Sequence, residues 1–135
     1  MTILFDTNIS LDFLLERQPF FNDAAEIIRL TEKGDLTTFI TASSATDIYY
    51  IMRKYRSHED RISILTDYFS LVDIINTTRT DILKALKTGN DDFEDAVTYQ
   101  CAKRKKVDFI ISKNMSGFRD KSPKAVSPAE FLKMT

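Results

Sequence analysis

The chain has 135 residues, 43% of them hydrophobic and 29% charged, with a formal net charge of −1. That size and balance fit one globular domain over residues 1–135, with roughly 7,000 Å² of folded surface and a core that needs no covalent staples. A single cysteine (Cys101) and a single histidine (His58) exclude an internal disulfide, CxxC sites, HExxH and any two-histidine metal site.

Ile3-Leu4-Phe5 is a short apolar run bounded by Asp6-Thr7-Asn8 and reads as a buried strand. The apolar residues from Ile9 to Leu15 continue as a short helix capped by Asp6 or Thr7. Pro19 separates it from a helix over 20–33, where Ala24, Ile27, Ile28 and Leu30 recur at helical spacing and Gly34 supplies the stop. Residues 36–41, rich in Thr, Phe and Ile, form a second strand. Residues 44–56 are helical, with Ile48, Ile51, Met52 and Tyr55 on one stripe. Ser57-x-x-Asp60 is a capping signal for the next helix. A third strand over 71–75, a helix over 80–87 closed by Gly89, and a helix over 91–105 follow. The last of these has an acidic start and a basic end, which suits its dipole. Phe109-Ile110-Ile111 is a fourth strand and Ala125-Val126 a short fifth. Ser127 caps a final helix that begins at Pro128. This alternation predicts a three-layer α/β/α domain around a central, mainly parallel sheet of four to five strands.

The chain lacks GxGxxG and GxxxxGK[ST], so no glycine loop cradles phosphate. His58 sits in the polar stretch Ser57-His58-Glu59-Asp60, where a solvated surface histidine is the ordinary reading. Carboxylates carry the remaining chemistry. Asp6 ends the first strand, and Ser112, Lys113 and Asn114 end the fourth. If those strands are neighbours, these residues meet at one rim, where open α/β sheets bind ligands. Asp47 borders an apolar stripe, so its charge calls for a partner: a cation, water, or a hydroxyl such as Ser43 or Ser44. Asp91-Asp92-Phe93-Glu94-Asp95 is a dense acidic cluster in which Asp92 and Asp95 share a helix face, while Phe93, Ala96 and Val97 lie toward the core. Like charges held this close repel, and a divalent cation offsets the repulsion. Oxygen donors favour Mg²⁺ or Mn²⁺, and the chemistry that fits is metal-assisted phosphodiester hydrolysis.

Several short motifs, in order, resemble the PIN-domain family, in particular the VapC-like toxins of type II toxin–antitoxin systems. They are Ile3-Leu4-Phe5-Asp6-Thr7-Asn8, Leu11-Asp12-Phe13-Leu14-Leu15-Glu16-Arg17, Thr46-Asp47-Ile48-Tyr49-Tyr50, Asp92-Phe93-Glu94-Asp95-Ala96, Ile111-Ser112-Lys113-Asn114 and Ser127-Pro128-Ala129-Glu130-Phe131-Leu132. The resemblance implies a Rossmann-like fold and an Mg²⁺- or Mn²⁺-dependent endoribonuclease. It implies Asp6, Asp47 and Asp95 as catalytic acids, with Asp92 an accessory ligand beside them at the metal. Asn8, Ser112 and Asn114 are implied as supporting residues. Asp47 stands where the family usually has Glu, one methylene longer. The family's last acid falls at Gly117-Phe118 here, so the usual fourth carboxylate is replaced by glycine, with Asp120 nearby. An alternative is therefore a degenerate member that binds RNA or a protein without efficient cleavage.

Residues 1–102 carry 10 Lys+Arg against 17 Asp+Glu, and residues 103–135 carry 9 against 3. This asymmetry sets a basic segment beside an acidic body, an arrangement that suits a polyanion near carboxylates. Lys103-Arg104-Lys105-Lys106 reads as a solvated helix end. Arg53, Lys113, Arg119 and Lys121 are candidates for RNA phosphates, with Lys113 and Arg119 favoured because they flank the rim. Tyr49, Tyr50 and Tyr55 are expected in the core or at a dimer interface, and Phe20 and Phe21 in packing. The resemblance further implies an RNA substrate, a cognate antitoxin and a homodimer. No apolar run is long enough to cross a membrane, and the start lacks the pattern of a secretory leader, so a cytoplasmic location is expected.

Overall fold

A computed structural model describes residues 1–135. Five strands form one sheet: β1 (Thr2–Phe5), β2 (Thr37–Thr41), β3 (Asp73–Ile75), β4 (Phe109–Ile111) and β5 (Lys124–Val126). Their order is β3-β2-β1-β4-β5, and every neighbouring pair is parallel. The helices are α1 (Thr7–Leu14), α2 (Phe21–Glu32), α3 (Ala42–Met52), α4 (His58–Leu71), α5 (Arg79–Thr88), α6 (Phe93–Lys105) and α7 (Pro128–Leu132). The predicted three layers and parallel sheet are present.

Alternation along the strands divides the core in two. Ile3, Phe5, Ile40 and Ile111 face α1, α2, α3, α4 and α7. Leu4, Phe39 and Ile110 face α5 and α6. Each fully buried Leu, Ile or Phe contributes about 1.5–3 kcal/mol relative to exposure. With both sheet faces covered, β1 reads as a continuous apolar run, as buried parallel strands do.

Local chemistry sets the element ends. Asp6 caps α1, its Oδ1 accepting from the Thr7 amide at 2.8 Å. Gly89 closes α5 in the left-handed region, with φ of +66°. Ser127 and Glu130 form a reciprocal capping box on α7. Three expectations need correction. The helix expected over 44–56 ends at Met52, and residues 53–55 are turns. Leu71 belongs to α4 rather than to the third strand. Asp91 lies outside α6, because Asp92 is its cap and accepts from the Asp95 amide at 3.0 Å. Of the two places expected for the tyrosines, the core is excluded for Tyr50 and Tyr55, which are exposed. Tyr50 instead carries the Arg53 guanidinium over its ring.

Candidate functional site

Chain order runs from β1 outward through β2 to β3, then returns to β1's other side for β4 and β5. The reversal lies between the C-terminal ends of β1 and β4, where this class of sheet opens a crevice. The Asp6 amide donates to the Ile111 carbonyl at 3.0 Å, which brings the two strand ends together. The Ser112 hydroxyl then donates to Asp6 Oδ2 at 2.8 Å. Asp6 is buried, and both its carboxylate oxygens are fixed, one by Ser112 and one by the first turn of α1. The rim expected from sequence therefore exists. The Asn114 amide donates to the Ser112 hydroxyl at 3.1 Å, while the Asn114 side chain is exposed. Asn8 lies half-buried on the first turn of α1.

Across the rim, α6 points its acidic start at Asp6. Burial raises the Asp6 carboxyl above the usual range, and Asp92 adds to this; the Ser112 and Thr7 bonds and the Lys113 charge oppose it. Asp95 is pushed up to about 7, first by desolvation and then by the charges of Asp6, Asp92 and Glu94. Glu94 is also raised, by burial and by Asp47, Asp6 and Asp92, against the hydrogen bond from Thr7. Asp6, Asp47, Asp92, Glu94 and Asp95 thus share one electrostatic neighbourhood, although they come from three separated segments. No three of these side chains are gathered closely enough to form a ready-made cage for one ion. The donor set is nevertheless all hard oxygen with little compensating charge. Mg²⁺ needs only one or two carboxylates, with waters and substrate oxygens completing its shell.

Of the partners open to Asp47, water is the one within reach. It is exposed, so its boundary position on α3 does not force a buried partner. It lines a cleft of about 230 Å³ with Thr7, Ser43, Ser44 and Glu94. Phe93 is likewise 43% exposed and only Ala96 and Val97 of its group reach the core. A cap-adjacent residue precedes the stretch of α6 that packs on the sheet, which leaves Phe93 at the cleft.

The sequence names Thr7 as a possible cap, Ser44 as a possible partner of Asp47 and Glu94 within the acidic cluster, but gives none of them a place in the site. The Thr7 hydroxyl lies 2.8 Å from the Ser44 hydroxyl and donates to Glu94 Oε1 at 3.1 Å. One side chain thereby joins α1, α3 and α6. Glu94 belonged to the acidic cluster, but neutral hydroxyls far apart in sequence carry no such signal.

The two favoured basic candidates, Lys113 and Arg119, are engaged. Lys113 Nζ is 2.6 Å from Asp12 Oδ2, and Arg119 forms a two-pronged pair with Glu130 on α7. Phe20 is 46% exposed instead of packed inside, and Lys113 Nζ sits 3.6 Å from its ring centroid. Phe21 does pack, stacked on Phe13. Arg104 leaves the expected solvated helix end to pair with buried Asp81. Gly117 has no atom within 4 Å of where a Cβ would stand, and Asp120 is exposed. His58 is exposed and bonded to the Tyr49 hydroxyl. No helix is long and apolar enough to cross a membrane.

Comparison with known structures gives one consistent architecture. VapBC-1 from nontypeable Haemophilus influenzae aligns with a TM-score of 0.71 at 14% identity, over 96% of this chain and 99% of that one. A toxin–antitoxin complex from Klebsiella pneumoniae gives 0.70 at 19% identity, over 93% and 97%. VapC20 from Mycobacterium tuberculosis, a toxin that cleaves the sarcin–ricin loop, gives 0.67 at 13%, over 85% and 93%. No curated protein sequence matches the chain. At these identities the structures establish a shared fold, that of VapC toxins. The PIN domain profile matches residues 2–116, and the crevice between β1 and β4 lies within that span: the chain belongs to the PIN-domain family.

Proposed function

We propose that this PIN domain is a metal-dependent endoribonuclease, the toxin of a type II toxin–antitoxin pair. The observation that carries the reading is the gathering of Asp6, Asp92, Glu94 and Asp95 at one rim, where burial first and the neighbouring charges second push Asp95 up to about 7. Structural acid pairs are normally arranged to lower such values; a site that raises them is waiting for positive charge. Asp6 and Asp95 are the principal ligands in this reading, with Asp92 and Asp47 accessory to them. Bound there, Mg²⁺ or Mn²⁺ supplies Lewis acidity and a water of lowered pKa for attack on a phosphodiester.

The chain's own residues prepare that chemistry. Ser112 and the Thr7 amide fix both oxygens of Asp6, so little ordering remains when a cation arrives. Thr7 holds Glu94 back against α1. Asp95, pushed up to about 7, retains a proton on a fraction of molecules near neutral pH and would give it up in holding a cation. Lys113 and Arg119 are the proposed RNA phosphate contacts, Asn8 and Asn114 support the rim, and the partners are RNA, a cognate antitoxin and a second copy of the chain in a cytoplasmic setting. Relatives of this fold have been crystallised in toxin–antitoxin complexes, which supports the antitoxin.

One observation favours the second reading, RNA or protein binding without efficient cleavage. Gly117 stands at the position of the family's usual last acid, and no three carboxylates are gathered around one point. The deciding experiment incubates purified protein with single-stranded RNA and Mn²⁺, with and without EDTA. EDTA-sensitive cleavage supports the nuclease. Manganese and RNA binding without cleavage supports the second reading.

A further inference from the structure

Asp12 lies on α1 beyond Asp6 and takes no part in the acidic rim. The residue is 1% exposed. Lys113 Nζ stands 2.6 Å from its Oδ2, and Arg17 Nε 3.5 Å from its Oδ1. Neither oxygen receives an aligned hydrogen bond, so the compensation of this buried charge falls mainly on the ammonium. Lys113 is held from a second direction by Phe20, whose ring centroid is 3.6 Å from Nζ. Its side chain is only 23% exposed. A surface lysine samples many rotamers, whereas this one is clamped. The clamp lies beside the site, because the preceding residue, Ser112, donates to Asp6. An ammonium has three donors, and Asp12 does not use them all.

We propose that Asp12 is a positioning residue: with Phe20, it holds the Lys113 ammonium at the rim so that a remaining donor meets a phosphate oxygen of bound RNA. The proposal rests on the nuclease reading for its substrate, but the clamp itself is measurable without cleavage.

The full chain is treated with an amine-acetylating reagent, and modification of Lys113 is read by peptide mass spectrometry. Lys113 is expected to react several-fold faster in Asp12→Asn, and faster in Phe20→Leu, a change at an exposed ring that leaves the core intact. An uncleavable 2′-O-methyl RNA is expected to shield Lys113 in the unaltered protein. In single-turnover cleavage with Mn²⁺, Asp12→Asn slows the maximal rate by about 10- to 100-fold with little change in RNA affinity. Asp12→Asn combined with Lys113→Met is no slower than Lys113→Met alone. Equal labelling of Lys113 in all three proteins overturns the clamp, and absence of RNA shielding overturns the phosphate contact. Losses that multiply in the double variant overturn positioning through Lys113. If the unaltered protein does not cut RNA, the nuclease reading falls while labelling still decides the clamp.

Discussion

Two acid groups at opposite ends of α6 show opposite electrostatics: Asp81, which meets Arg104 in its last turn, and Asp95 in its first. Asp81 on α5 is buried, yet it is met by the Arg104 guanidinium at 3.1 Å and by the Thr78 amide at 2.9 Å. Burial alone would raise its carboxyl; the Arg104 and Thr78 bonds outweigh this and hold it below the usual range. Asp95, at the first turn of α6, has burial and neighbouring acids as its main influences and is raised to about 7. The first acid is part of the scaffold. The second is a cost that the scaffold carries, which is the usual mark of a site kept for a ligand.

The contrast can be broken in four ways, taken from the largest effect down. Asp6→Asn keeps an N-cap residue but removes charge, so Mn²⁺-dependent RNA cleavage should fall about 100- to 1,000-fold while the melting temperature holds. Equal activity would falsify the assignment of the rim. Asp81→Ala removes the partner of Arg104 and the α5 capping box, so urea unfolding should show a loss of about 1–2 kcal/mol, the partly exposed guanidinium returning to water. The stabilising contribution of Asp81 is present above an unfolded value near 3.8 and disappears as pH falls through its lowered folded value.

Asp95 has the reverse sign. Its folded value lies above its unfolded one, so stability declines as pH rises from about 3.8 to about 7, and the full penalty stands above that. In EDTA at pH 8, Asp95→Asn should therefore raise the melting temperature by about 2–5 °C, and the gain should shrink at pH 5. Mn²⁺ should stabilise the unaltered protein more at pH 8 than at pH 5. A melting curve indifferent to both pH and Asn would place Asp95 with the ordinary surface acids. The smallest effect concerns Gly117, where space for a side chain is open. Gly117→Asp should tighten Mn²⁺ binding by calorimetry; unchanged affinity would mean that the carboxylate points away from the rim.

The sheet was legible because β1 is apolar on both faces and the turn chemistry at Gly89 and Ser127 is local. Asp6 and Ser112 could be paired in advance, since strand adjacency alone brings them together. Asp47 was harder. The apolar stripe told that it borders the core, but not on which side of the border its carboxylate falls. Phe20 looked like packing because composition does not show that a lysine from β4's end would cover its ring. The Thr7–Ser44–Glu94 link and the Asp12–Lys113 pair were illegible for one reason: each joins residues far apart in the chain, and nothing local in either partner names the other.

Asp6 starts α1 through one oxygen and faces the rim with its carboxylate. Foldability and chemistry are therefore written into one codon. A lineage drifting toward an inert scaffold has few exits there, since only short polar replacements preserve the helix start once the acid is gone.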